Sequence, residues 1–291
     1  MSTDSNTTTN SASGSPYKTL RQLLSDPMGL IGFVIVVTFI LIALLAPIIA
    51  PYDPIKIDIM SKLQGPSLEH WLGTDQLGRD TLSRLMYGAQ IALLVSVTSI
   101  GSAVFIGTIL GSIAGYGPKW LDNTIMLIFD TLRSYPVIMF ALAVVAIFGP
   151  SLTTIVLIIV VTSCPTYGRL IRTQTLTLRN AEYTLAARAL GLSTSKILFR
   201  HIIPNAIGPV LIVASMDVPY VIALESSLSF LGLGIRPPTP SWGGILNDGY
   251  SFIRNSPWLV ASAGLPLIMV TIGFTFLGEQ LRDIFDPKLR G

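Results

Sequence analysis

Residues 28–50 read MGLIGFVIVVTFILIALLAPIIA, and no charged residue interrupts the chain between Asp26 and Asp53. A helix needs about 20 mostly apolar residues to cross the hydrocarbon core of a bilayer. The stretch follows basic residues, as in a signal peptide, but it is longer than a signal h-region. Pro47 and Pro51 also stand where a small-residue cleavage site would be expected. The stretch therefore predicts an uncleaved first membrane span.

The same pattern recurs along the chain, which is 51% hydrophobic and only 12% charged. Charge-free stretches lie between Arg84 and Lys119, between Arg133 and Arg169, and between Arg254 and Glu279. Backbone amides in lipid must be satisfied within the segment, so such stretches form helices. We therefore predict an all-α membrane protein with six transmembrane helices, at about residues 28–50, 89–116, 121–148, 152–167, 207–231 and 258–277.

Composition also divides the chain. Residues 1–24 are rich in Ser, Thr and Asn, which predicts a disordered tail. Residues 25–88 hold the first span and an external loop, and residues 89–291 form a core domain with five spans and a cytoplasmic loop at 169–205. That loop has the densest cluster of Lys and Arg. The positive-inside rule then places both termini in the cytoplasm.

Charged residues well inside the predicted spans stand out in this apolar chain. Asp130 and Arg133 are three residues apart, so we expect them to pair on one helix face. Asp217 and Glu225 lie within the fifth span. Carboxylates in a membrane face a bundle interior or an aqueous path. Asp217 and Glu225 either line a solute route or make a structural bond between helices.

The loop at 169–205 has its own helix signals. Asn180 can cap a short helix over residues 181–190, with Glu182 in its first turn, and Gly191 can end that helix in a left-handed conformation. Ser193 can cap a second helix over 194–203, which Pro204 should stop. The sequence therefore predicts two helices joined by a bend at Gly191, a unit called the elbow below.

The elbow resembles the "EAA loop" of ABC importer permeases through Ala186-Ala187, Gly191, Ile197 and Pro204. It departs from the family pattern at Leu185, where the family has Glu, and at Ile203, where the family has Leu. The resemblance implies that the elbow acts as a coupling helix, which inserts into a groove of an ATPase subunit. The residues expected to couple are Glu182, Tyr183, Leu185, Ala186, Ala187, Arg188, Ala189, Leu190, Gly191 and Pro204.

Three further segments resemble the second-type permease of dipeptide and oligopeptide importers. They are HWLGTD at 70–75 with GRD at 78–80, SFLGLG at 229–234 with PPTPSWG at 237–243, and LRD at 281–283 with DPKLR at 286–290. The resemblance implies the type I ABC importer permease fold.

The polar stretch before the second span holds opposite charges at close spacing. We expect a salt-bridged external collar that, together with Trp242, gates the pore or docks a solute-binding protein. A purely scaffolding role is equally open. The collar residues are Asp75, Arg79, Asp80 and Arg84.

The sequence carries no phosphate-binding Gly-x-x-x-x-Gly-Lys-Ser/Thr motif, nucleophile–base pair or metal-ligand cluster. We expect a chain without cofactor or catalysis, whose ATP and Mg²⁺ are bound by partner ATPase subunits. The net charge of +3 is too small to indicate nucleic acid. The resemblance implies two ATPases, a second homologous permease and an extracytoplasmic binding protein, all acting at a bacterial inner membrane.

Two questions of function stay open at this point. The solute is a di- or oligopeptide, or else a nickel chelate, glutathione or another small molecule. An ion-coupled secondary transporter would instead use Asp217 and Glu225 as its ion site. A membrane enzyme would need paired catalytic groups, whereas the sequence offers scattered carboxylates and the single Cys164.

Overall fold

A computed structural model describes residues 25–285 and is almost entirely helical. The predicted tail at 1–24 and the terminal motif at 286–290 lie outside these residues. The helices are α1 (Pro27–Ile49), α2 (Thr81–Tyr116), α3 (Lys119–Ser134), α4 (Val137–Phe148), α5 (Leu152–Leu178), α6 (Glu182–Ala189), α7 (Thr194–Met216), α8 (Val218–Phe230), α9 (Trp242–Ser251) and α10 (Pro257–Phe285).

Five of the described helices are long and apolar enough to cross a membrane, and the bent pair α3–α4 can supply a sixth span. The five are α1, α2, α5, α7 and α10. Large apolar side chains are exposed on the outer helices, for example Ile48 on α1 and Ile147 on α4. Such surfaces suit lipid rather than water. The prediction of an all-α membrane protein is therefore confirmed.

Helices α2 and α5 form the centre of the bundle and pack along a seam of glycines. A Cβ atom on Gly107 would lie 2.9 Å from the backbone nitrogen of Gly168, and one on Gly115 would lie 2.7 Å from Cβ of Thr175. A Cβ on Gly111 would overlap the carbonyl group of Gly168. The backbones can approach this closely because these positions carry no side chain.

The third predicted span is not one straight helix. The axis turns by 92° between α3 and α4, at Tyr135 and Pro136. Proline disfavours the helical conformation of the residue before it and lacks an amide hydrogen, so the helix breaks there. The sequence prediction of a continuous helix over 121–148 was wrong for this reason.

Helix α5 runs on to Leu178, beyond the predicted end of the fourth span at residue 167. Its added turns carry basic side chains that pair with carboxylates of α3. Arg172 donates to Asp122 at 2.6 Å, and Arg169 forms an ion pair with Asp130 at 2.5 Å. The expected Asp130–Arg133 pair is therefore wrong, because Asp130 is bound to α5.

The fifth predicted span also differs from the structure. α7 starts at Thr194, continues through Pro204 and ends at Met216. A π-helical turn at Leu198–Ile202 precedes the proline, which sits at the start of the following α-helical part and so needs no amide donor. Asp217 then separates α7 from α8, so residues 207–231 are two helices rather than one.

Candidate functional site

The elbow forms at the bend between α6 and α7. Gly191 has φ of +75°, as predicted for a left-handed helix end. The Leu192 amide donates to the Ala187 carbonyl at 3.2 Å, and the Gly191 amide donates to Arg188 at 3.0 Å. Bonds of this kind satisfy the last carbonyls of a helix. The bend is thus fixed by backbone bonds that only a residue tolerating positive φ can make without strain.

The predicted helix caps of the elbow are only partly right. Helix α6 begins at Glu182 after Ala181, so Asn180 is not its cap. Ser193 does stand at the cap position of α7, but its side chain makes no capping bond. Glu182 lies in the first turn of α6, where its charge suits the helix dipole.

One side of the elbow is anchored to the bundle. Ala187, Ile197 and Ile202 are buried together, and Tyr116 at the end of α2 packs against them. Arg188 donates to the Tyr116 hydroxyl at 3.1 Å and lies over its ring. The elbow is therefore attached to the same end of the bundle at which α2 and α5 finish.

The opposite side of the elbow presents apolar side chains outward. Leu190 is 81% exposed, and Tyr183 and Leu185 are also exposed. Ala186, Ala189 and Pro204 are exposed as well. Leu185 occupies the position where the resemblance has Glu, so this surface is more apolar than the family pattern. An unpartnered surface of this kind suits docking to another protein.

Near the middle of the bundle, Tyr167 of α5 meets Asp217 at the break between α7 and α8. The buried Tyr167 hydroxyl donates to the Asp217 carboxylate at 2.7 Å. Asp217 is only partly buried, which leaves part of its carboxylate open. The sequence singled out Asp217 but gave no sign of Tyr167, since tyrosines are common in membrane helices.

Glu225 has a different setting from Asp217. Its side chain is fully buried, and it accepts bonds from Ser229 at 2.7 Å and from Ser226 at 3.2 Å. Both hydroxyls belong to α8, the same helix as Glu225. The two carboxylates for which the sequence left the same alternatives therefore lie in different environments, Asp217 partly open and Glu225 enclosed.

At the end of the bundle opposite the elbow, the four predicted collar residues lie close together. Asp75 pairs with Arg79 at 2.7 Å and also with Arg84. Both arginines approach Asp248 of α9, at 3.6 and 3.4 Å. Sequence analysis did not identify Asp248, because a single acidic residue outside any motif gives no indication of its basic partners.

Asp80 and Trp242 hold other parts of this end together. Asp80 caps α2 through the Ser83 amide at 2.7 Å and contacts Nδ1 of His70 at 2.9 Å. The Trp242 indole donates to the Leu85 carbonyl at 2.9 Å, and its side chain is buried. Nearby, the Ser61 hydroxyl donates to Asp58 and lowers the pKa of that carboxyl.

Two sequence families match the chain. Residues 107–291 match the family described as binding-protein-dependent transport system inner membrane component. Residues 16–66 match the N-terminal TM domain of oligopeptide transport permease C. The first match spans more than half of the chain and includes the elbow and the Tyr167–Asp217 contact. The chain belongs to this family of transport-system membrane components.

Several curated permeases are similar to this one over nearly their whole length. The dipeptide transport system permease protein DppC of Alkalihalophilus pseudofirmus is 39% identical over 277 residues, which is 95% of this chain and 91% of that protein. The glutathione transport system permease protein GsiD of Pectobacterium atrosepticum is 38% identical over 93% of this chain and 90% of its own. The oligopeptide transport system permease protein OppC of Bacillus subtilis is 37% identical, with coverages of 91% and 87%.

A solved structure shares the fold. The MetNI methionine ABC transporter, in an inward-facing conformation, matches with a TM-score of 0.56 at 18% identity. The match covers 68% of this permease and 94% of that chain. The expected type I importer permease fold is therefore confirmed, and the family places the chain in a membrane beside a binding protein and an ATPase.

Proposed function

We propose that this permease forms half of the translocation path for di- or oligopeptides in an ATP-binding cassette importer. The observation that carries the proposal is the 39% identity with a dipeptide permease across 95% of the chain. The relative from Bacillus subtilis carries an oligopeptide name, and residues 16–66 match the oligopeptide permease C domain. The other half of the path would come from a second homologous permease.

The elbow is proposed to receive the force of ATP hydrolysis. Its outward side exposes Tyr183, Leu185 and Leu190 at the tip of a bend whose other side is anchored to α2. A groove on each of two ATPase subunits would bury this apolar surface. ATP and Mg²⁺ would then be bound by the partners and not by this chain.

We further propose that the elbow and both termini lie in the cytoplasm of a bacterial cell with this permease in its inner membrane. The basic cluster from Arg169 to Arg200 supports this orientation through the positive-inside rule. The collar residues would then lie on the outer side of the membrane. There the collar would seal the path or receive the binding protein.

The test is uptake by vesicles that contain the complete importer and its binding protein. Labelled di-, tri- and longer peptides are compared with glutathione and a nickel chelate, with and without ATP. ATP-dependent uptake of peptides is the expected result. Uptake that needs no ATPase would instead support an ion-coupled transporter.

Glutathione is the second candidate solute. It is supported by the 38% identity with the glutathione permease of Pectobacterium atrosepticum. Saturable glutathione uptake in the same vesicles, with no uptake of ordinary peptides, would replace the peptide assignment while leaving the permease role intact.

A further inference from the structure

Two opposite charges near the middle of the bundle lack a charged partner, although their neighbours have one. Across the α3–α5 contact, Asp122 pairs with Arg172 and Asp130 with Arg169. Among residues 25–285, no acidic group pairs with Arg133 and no basic group pairs with Asp217. Arg133 and Asp217 therefore keep free bonding capacity within this chain.

The two charges are connected through neighbouring residues of α5. Arg133 donates to the Thr166 hydroxyl at 3.3 Å, and the next residue, Tyr167, donates to Asp217 at 2.7 Å. Tyr220, half-exposed and one turn after Asp217, lies within electrostatic range of both charges. The guanidinium and the carboxylate are therefore held beside consecutive residues of α5, and both are at least partly exposed.

This region lies about midway along α5, within a helix that can span a membrane. α5 has 27 residues, so its length is about 40 Å, and Thr166 lies about 21 Å from its start at 1.5 Å per residue. Arg133 is exposed and Asp217 is partly exposed at this depth. A charge facing lipid there is costly, whereas a charge facing a water-filled path keeps its hydration. Both groups therefore suit the wall of such a path.

We propose that Arg133 and Asp217 form a binding site for the two ends of a zwitterionic peptide, with Asp217 taking the N-terminal ammonium and Arg133 the C-terminal carboxylate. A guanidinium matches a carboxylate by paired hydrogen bonds. The Tyr167 bond holds the Asp217 side chain in place, and Tyr220 adds an aromatic surface beside it. The proposal rests on the proposed peptide transport and assigns the solute contact within it.

The rival explanation is that each charge pairs with a residue of the partner permease. In that case the site would be structural, and the chemical state of the solute's ends would not matter. A crossed set of variants and peptides separates the two explanations. The variants are Asp217→Asn and Arg133→Gln, with Asp130→Asn as the control, because Asp130 lies one turn from Arg133 and already has its partner in Arg169.

The probes are trialanine, its Nα-acetyl form and its C-terminal amide. Their binding to the complete, detergent-solubilised importer is measured by saturation-transfer NMR without the binding protein, so that the binding protein's own preference does not enter. Uptake of free trialanine into vesicles is measured in parallel for every variant.

Asp217→Asn should weaken binding of trialanine and of its amide about tenfold and leave the acetyl form unaffected, since that form has no ammonium. Arg133→Gln should weaken trialanine and the acetyl form but not the amide. Asp130→Asn should change none of them. Equal effects on all three probes, or no effect, would overturn the site.

Failure of the site can be told from failure of the proposed function. If the wild-type importer takes up trialanine and the variants do not distinguish the two ends, the site is wrong and peptide transport stands. If the wild-type importer neither binds nor takes up any of the three peptides, both assignments are wrong.

Discussion

At the scale of single residues, Gly191 shows how backbone conformation alone can carry a role. Space around its Cα is open, since a Cβ atom there would meet nothing within 4 Å. Its positive φ is therefore the only local reason for glycine. The sequence predicted this feature correctly because a left-handed helix end depends on one residue and not on distant contacts.

Gly191→Val should therefore change the bend without creating a clash. The valine would strain the left-handed backbone by about 1–2 kcal/mol, so the elbow should shift to another conformation. ATP hydrolysis by the importer should continue while uptake falls several-fold, which is measured as solute transported per ATP in vesicles. Gly208→Val is the matched control, because Gly208 is also open but has no positive φ. An unchanged ratio for Gly191→Val would contradict the coupling role.

Asp75 forms ion pairs with two buried arginines, and replacing it should lower the stability of the folded protein. Asp75→Asn would leave the buried Arg79 and Arg84 with one carboxylate, the longer-range partner Asp248, so we expect a loss of about 3–5 kcal/mol of stability. Thermal unfolding of the purified importer measures this loss. Asp53→Asn removes an exposed carboxylate of the same loop, which accepts only the Ile55 amide, and should change little. Equal unfolding temperatures for both variants would show that the Asp75 pairs add no stability.

At the scale of helices, the sequence and the structure differ partly because of contacts that a linear pattern does not contain and partly because of local backbone effects at prolines. The basic residues that follow residue 167 predicted that the fourth span ends there. The helix α5 continues because Asp122 and Asp130 of α3 pair with these basic residues, Arg172 and Arg169. Pro204 predicted a stop, but the preceding π-turn lets α7 pass through it. Hydrophobic spans were predictable, whereas pairings between helices were not.

The glycine seam between α2 and α5 gives a prediction at this scale. Gly111→Val would push the added side chain into the Gly168 backbone, and we expect a loss of about 1–3 kcal/mol from overpacking. Gly101→Val on the same helix, where a Cβ meets nothing within 4 Å, is the control. The measurement is the unfolding temperature of the importer in detergent. Similar values for the two variants would mean that α2 and α5 separate without cost.

At the scale of the whole molecule, the chain shows surfaces that lipid alone does not explain. Arg133, Asp217 and Tyr220 beside the middle of α5, and the apolar tip of the elbow, are at least partly exposed in this single chain. Composition and four motifs were enough to predict the fold and the type of assembly. The solute site needed the three-dimensional structure, because Arg133, Tyr167 and Asp217 belong to three separate segments.

The orientation of the whole chain can be tested by labelling single cysteines. In a Cys164→Ala background, Leu68→Cys and Ser193→Cys place one exposed thiol at each end of the bundle. A membrane-impermeant maleimide should label Leu68→Cys in intact spheroplasts and Ser193→Cys only after permeabilisation. The reverse pattern would invert the proposed topology. The Cys164→Ala chain alone serves as the unlabelled control.

The close backbone packing of α2 and α5 has a mechanical consequence. Two helices in contact over several turns resist bending more than one helix does, and the elbow is tied to both through Tyr116 and Leu178. We expect the pair to behave as one stiff beam that tilts as a unit. A displacement at the elbow would then be transmitted along α5 to Tyr167, and we expect the Tyr167–Asp217 bond to change when the two helices tilt.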